Sequence, residues 1–182
     1  LGADPDGATA YIRAKGAAER AVRHSDLTST ILRPSVVFGS GGEFISFTKL
    51  LAPPYLAALP GGGQTRFQPI HVEDLVTIIV EVIDDPTHRG QTYELGGPER
   101  LTLAEIARLI HRAEGKSVTV LPVPMILARV GLTIGEAIPG VPMGLDQYRS
   151  LRVDNVTRSN DIDAFGLSEQ DLTRLGTYLG PS

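Results

Sequence analysis

Within TAYIRAKGAAER, residues 9 to 20, a tyrosine and a lysine stand four positions apart, Tyr11 and Lys15. On a helix such side chains lie one above the other, so a phenol and an ammonium can face the same ligand. A free phenol titrates at about pH 10, too high for efficient proton exchange at neutral pH. A neighbouring ammonium favours the phenolate and brings the group toward the range where acid–base catalysis works. An amphipathic helix can also carry both residues on its surface with no chemical role.

Other reactive residue types are sparse. There are no cysteines, which excludes disulfides, thiolate zinc sites and cysteine nucleophiles. His24, His71, His88 and His111 are scattered singly, so no metal site is expected. Arg33, just before Pro34, is expected to pair with a carboxylate at a strand end, and His71 to be a packing residue. Asp74 is expected to satisfy backbone N–H groups where a helix begins.

Positioning Tyr11 and Lys15 requires a helix, and Thr9 is its N-cap, with helical spacing running to about His24. Ala14, Ala17, Ala18 and Ala21 form a small-residue face, suited either to close packing or to a helix-bundle dimer contact. Gly16 costs about 1 kcal/mol against alanine inside a helix, which predicts a close approach there. TSTILRPSVVFG has the β-branched, apolar character of a strand buried on both faces of a parallel sheet, ending or bending near Pro34.

Downstream, FISFTKLLA predicts a short helix, and PGGGQTRFQPIHVEDL a glycine turn leading through a short strand into a helix from about Val72 to Ile83. GQTYELGG and SVTVLPVP are further strands. Between them LTLAEIARLIHRAEGK is a helix opened by a Thr102–Glu105 capping box and stopped at Gly115. Two last helices are expected, at Leu145 to Leu151 and at Glu169 to Leu179, the second capped by Ser168. Alternating strands and helices imply an α/β protein with a parallel sheet. The glycine cluster Gly61 to Gly63 precedes a strand, not a helix, and is not a phosphate loop.

Composition bounds the partners. With 182 residues, 42% hydrophobic, 21% charged and a formal net charge of -4 without like-charge runs, the chain suits a soluble globular domain. It offers no electrostatic footprint for nucleic acid. The apolar stretch from Val118 to Met143 is interrupted by Pro122, Pro124 and Pro139 and carries Arg129 and Glu136, so no membrane-spanning helix is expected. Leu1 opens a segment without targeting character, and the chain is expected to be the downstream piece of a longer one.

YIRAKGAAERAV followed by TSTILRPSVVFGSGG resembles the Tyr-x-x-x-Lys helix and next strand of the extended and atypical short-chain dehydrogenase/reductase superfamily. TRFQPIHVEDLVTIIVEVIDDP and GQTYELGGPERLTLAEIARLI continue the likeness. With VLPVPMILARV and DQYRSLRVDNV they resemble the branch containing the 39 kDa accessory subunit of respiratory complex I.

The resemblance implies the C-terminal portion of an NAD(P)-binding Rossmann-type fold with a small substrate domain. Residues 1–40 would be the end of the dinucleotide-binding sheet with the Tyr-x-x-x-Lys helix, and 41–182 would be mostly substrate-binding region interleaved with late Rossmann elements, in a single truncated unit. It implies Tyr11 as proton donor or acceptor, Lys15 on the nicotinamide ribose, and Pro34, Ser35, Val36 and Val37 along the nicotinamide. Arg66 falls where sugar-nucleotide members bind a phosphate. The glycine-rich loop, the NAD/NADP selector and the triad serine or threonine would precede Leu1.

The implied cofactor is NAD(P), with NADPH favoured. The implied activity is hydride transfer to a hydrophobic carbonyl or quinone-like substrate, in a pocket lined by Phe44 to Leu59 and Pro122 to Met143. A non-catalytic NADPH-holding accessory or assembly subunit and a nucleotide-sugar epimerase or dehydratase are the alternatives. Implied partnerships are a small-molecule substrate, a homodimer and peripheral association with a respiratory or membrane complex. The implied location is cytoplasmic, peripheral to the inner membrane.

Overall fold

A computed structural model describes residues 1–124, 126–127 and 152–180. Helix α1 (Ala10–Arg23) begins where Thr9 Oγ1 accepts from the Ile12 N–H at 3.1 Å, the cap its position predicts. Gly16 is buried because the lead-in crosses the helix there: an added Cβ would lie 2.2 Å from Pro5 N and 2.3 Å from the Asp4 carbonyl carbon. Ile12, Gly16 and Glu19 turn inward, whereas Ala14, Ala17, Ala18 and Ala21 are exposed. The alanine face is therefore not close-packed against any described residue.

The run after α1 forms two short strands, β1 (Ile31–Pro34) and β2 (Val37–Phe38), broken at Ser35 and Val36. Pro34 has no N–H to continue a ladder. The backbone bends there, Ser35 N donating to Leu95 O at 2.8 Å and Val36 O accepting from Ile70 N at 3.0 Å. The chain thereby changes neighbours. β1 is half-buried along its length, a correction to the expectation of burial on both faces.

The remaining described elements are α2 (Phe44–Leu51), β3 (Tyr55–Pro60), β4 (Arg66–Phe67), β5 (Ile70–His71), α3 (Val72–Asp84), β6 (Thr92–Leu95), β7 (Leu101–Thr102), α4 (Leu103–Ala113), β8 (Val118–Val123) and α5 (Leu175–Leu179). Three-residue 3-10 turns lie at Gly61–Gly63 and Pro86–His88, and a longer one at Asp161–Phe165. β1 pairs parallel with β6, β2 with β5 and β3 with β8, while β4 and β7 pair antiparallel. β3 is absent from the sequence-based expectation. Its register partner β8 lies far downstream, so the pairing leaves no local signal.

α4 links two parts of the core. Leu103 and Ala107 pack with Ala52, Ala57, Leu59 and Val118 beneath β3 and β8, while Ile106 and Ile110 pack with Phe38 and Leu175. Those positions recur at helical spacing, which is why one amphipathic helix can serve both. A third cluster, Ile70, Ile78, Leu95, Ile162 and Leu172, sits under α3.

The C-terminal expectation is corrected. Ser168 does bond the Asp171 carboxylate through N (2.8 Å) and Oγ (2.6 Å), yet the helix begins only at Leu175. Asp74 takes the Thr173 N–H at 2.8 Å, drawing that backbone out of a helical path. The helix expected at residues 145–151 lies outside the described residues. Among the described residues no helix is long and apolar enough to cross a membrane.

Candidate functional site

α1 brings Tyr11 and Lys15 together: Lys15 Nζ lies 5.6 Å from the centre of the Tyr11 ring, within cation–π reach. Both side chains are open to solvent, Tyr11 being 68% exposed. Neither forms a hydrogen bond or salt bridge with another described residue. No hydrogen bond or ring contact joins them to Pro34, Ser35, Val36 or Val37.

Beneath α1 a charged layer fixes the helix on β1. Arg33 clamps Glu19 through Nε (3.1 Å) and a terminal nitrogen (2.6 Å), and reaches Glu94 at 3.7 Å. Burial by itself would raise the Glu19 carboxyl, but hydrogen bonds from Arg33 and Arg23 outweigh it and hold the group below its ordinary value. Arg33 is thus the ion-pairing residue its position suggests. A cavity of about 190 Å³ opens beside this layer, lined by Ala3, Pro5, Gly16, Glu19 and three arginines.

Pro34 to Val37 form the turn at the carboxyl end of β1, where ligands commonly meet open α/β sheets. Ser35 is buried, and its hydroxyl is committed inward, donating toward Asn155 O (2.8 Å) and Oδ1 (2.7 Å). The Val36 carbonyl is taken by Ile70 N, and Pro34 O accepts from the Leu1 nitrogen at 2.6 Å. The Ser35 hydroxyl and N–H are thus both engaged within the fold, with Asn155 and with Leu95 O.

Sequence reasoning missed the residue that organises this end of the sheet, Gln68. Fully buried, it donates from Nε2 to Gly97 O (3.0 Å) and accepts at Oε1 from Thr157 N (3.1 Å) and Oγ1 (2.9 Å). Gly97 is glycine by necessity, because a Cβ there would lie 1.6 Å from Pro69 O. The partners are distant in sequence, and only the glycine pair Gly96–Gly97 hinted at a close approach.

Arg66 is not free. Its Nε and a terminal nitrogen bond Asp154 Oδ2 at 2.9 and 2.7 Å, and its backbone N bonds Oδ1 at 2.8 Å. The backbone bond and the guanidinium together lower the Asp154 carboxyl against the effect of burial. Asp74 holds Thr173 and makes no capping bond at the start of α3, where His71 stands as an N-cap without a side-chain bond. His71 packs between Phe38 (5.2 Å) and Tyr178 (5.0 Å), as a packing residue should. Of the expected pocket lining, Phe47, Leu50, Tyr55 and Leu56 are exposed, while residues 125 and 128–143 lie outside the described residues.

No model of a known protein family matches the chain. Over 113 residues it is 37% identical to the mitochondrial NADH dehydrogenase [ubiquinone] 1 alpha subcomplex subunit 9 of Arabidopsis thaliana, a match covering 61% of this chain and 28% of that protein. The fold matches a nucleoside-diphosphate-sugar epimerase from Staphylococcus aureus with a TM-score of 0.67 and 20% identity, over 97% of this chain and 61% of the other. A dTDP-4-dehydrorhamnose reductase from Bacillus anthracis in complex with NADP matches with a TM-score of 0.63 and 19% identity, over 93% and 53%. A short-chain dehydrogenase/reductase superfamily protein from Agrobacterium tumefaciens with bound NAD matches with a TM-score of 0.59 and 16% identity, over 93% and 54%. The chain thus spans under a third of the curated relative and somewhat over half of these structures. It shares the Rossmann-type α/β fold of these structures, and over part of its length it is similar in sequence to the NADH dehydrogenase [ubiquinone] 1 alpha subcomplex subunit 9.

Proposed function

We propose that Tyr11, Lys15 and the Pro34–Val37 turn form the nicotinamide side of an NAD(P) site in an oxidoreductase acting on a hydrophobic carbonyl or quinone-like substrate. The observation that carries this is the pairing of Lys15 Nζ with the Tyr11 ring at 5.6 Å, on the helix that Arg33 and Glu19 lock to β1. The donor set fits the cofactor: an ammonium for ribose hydroxyls, a phenol for a substrate oxygen, and backbone at a strand's carboxyl end for a carboxamide. A bound NAD(P)H would supply the hydride. Tyr11 would give its proton to the carbonyl oxygen as that oxygen becomes a hydroxyl, and Lys15 would hold the phenol and the ribose in register. Arg66 would meet a substrate phosphate only after yielding part of its pairing with Asp154. In this proposal residues 1–40 complete the dinucleotide-binding sheet, residues 41–182 contribute mostly to substrate binding, and NADPH is favoured.

A second reading, a non-catalytic NADPH-holding accessory subunit at the periphery of a respiratory complex, draws on the likeness to alpha subcomplex subunit 9. One experiment separates the two. Full-length protein is mixed with NADPH and a panel of quinones and aldehydes, and oxidation is followed in the parent and in Tyr11→Phe. The oxidoreductase reading expects turnover that falls about 100-fold or more in Tyr11→Phe, the scale of a lost general acid. Tight NADPH binding with no oxidation, identical in both proteins, selects the accessory reading. Absence of nucleotide binding defeats both.

A further inference from the structure

We propose that Glu81, Asp85 and His88 bind a divalent transition-metal ion of the zinc class, at the amino ends of β1 and β6 and away from the Tyr11–Lys15 pair. One ligand atom from each residue lies within 4.8 Å of the others. Asp85 follows Glu81 by one turn, its N–H bonding the Glu81 carbonyl at 2.9 Å; the chain then leaves the helix at the extended Asp85 and the Pro86–His88 turn folds His88 back toward them, His88 N bonding Asp85 O at 3.3 Å.

Exposed carboxylates gather at many helix ends without an ion. Here the third member is an imidazole, only 5% exposed and fixed on every side. Its ring stacks on Phe165 at 4.8 Å, meets Tyr93 edge-on at 5.5 Å, and Nδ1 lies 2.8 Å from the Tyr93 hydroxyl. That is its only side-chain hydrogen bond among the described residues. With an ion on Nε2, Nδ1 would donate to the Tyr93 hydroxyl and that bond would fix the ring's orientation. Asp85 is also held in place, by the Thr87 N–H at 2.8 Å.

Charge points the same way. The last turn of α3 has no basic residue and carries Glu81 and Asp84, with Asp85 next in the chain. Those carboxylates sit at the negative end of the helix dipole, where a cation is favoured. One imidazole with two carboxylates suits zinc and its first-row neighbours better than calcium or magnesium, which prefer all-oxygen shells. Water would complete the coordination. The ion would fasten the end of α3 to the 86–88 turn and, through His88, to Phe165 and Tyr93, so its role would be structural. Nothing in this inference depends on the cofactor reading.

The test uses full-length protein stripped with a chelator and returned to Zn²⁺ or Co²⁺ alone, beside a double variant carrying Glu81→Gln and Asp85→Asn. Neither substitution opens a cavity, and the carboxamide oxygen that Asp85→Asn introduces can still accept from Thr87 N. The proposal expects a visible Co²⁺ ligand-field band, a higher melting temperature with Zn²⁺, and affinity at least about tenfold weaker in the variant. Independently of the variant, Zn²⁺ should shift the His88 ring-nitrogen resonances of the parent. An unmoved His88 signal, or an equal thermal response in both proteins, overturns it.

Discussion

Glu114 closes α4 between two ammonium groups, and the consequence can be measured at one carboxyl. Lys49 and Lys116 both pair with it, Lys116 at 2.9 Å, and their hydrogen bonds hold the group at about 2. The carboxyl is depressed in the folded chain, so its contribution to stability is complete above the ordinary carboxylate range and is lost as pH falls toward 2. All three side chains are partly exposed, which keeps that contribution small. A side-chain NMR titration should therefore give Glu114 a midpoint near 2 in the parent and a clearly higher one in Lys49→Met. An ordinary midpoint in the parent would show that Lys49 does not pair in solution. At this scale the sequence was informative where partners share a helix or have an evident need. Tyr11 and Lys15 follow from the helical repeat, and Arg33 was expected to find a carboxylate. Gln68 was illegible because its partners, Gly97 and Thr157, are joined to it only by the folded chain.

α1 shows how an element's local preference can be overruled. A glycine-to-alanine change inside a free helix gains about 1 kcal/mol. In this chain Gly16→Ala should instead destabilise by about 1–3 kcal/mol, the usual cost of overpacking, because the new methyl meets the backbone of Asp4 and Pro5. Urea denaturation of the two proteins gives the sign directly, and a stabilised variant would mean that the lead-in does not lie across the helix. The elements read correctly from sequence carry their own boundary signals. Thr102 and Glu105 form the reciprocal cap of α4, and Pro34 breaks the run between β1 and β2. Those read wrongly are set by distant partners: β3 by its pairing with β8, and the shortened α5 by the hold of Asp74 on Thr173.

Over the whole molecule, residues 152–180 return across the carboxyl ends of β1 and β6. Asn155 meets Ser35, Thr157 meets Gln68, Asn160 bonds Gly96, and Asp161 takes the Glu94 N–H at 2.7 Å. The same segment supplies Ile162, Leu172 and Leu175 to the core. Losing one large buried aliphatic side chain costs about 2–5 kcal/mol, so losing three approaches the whole stability of a domain, about 5–15 kcal/mol. The unpaired Ser35 hydroxyl and Gln68 carboxamide would add a further penalty. A chain ending before Arg152 should therefore lose its cooperative thermal transition in circular dichroism, although its local helices can still form in part. A sharp melt close to that of the parent would mean that residues 152–180 are an appendage, and that the turn from Pro34 to Val37 holds its shape without them. The expected collapse would instead place the C-terminal segment among the supports of the proposed nicotinamide site, because Asn155 and Thr157 hold the two residues, Ser35 and Gln68, that fix that turn.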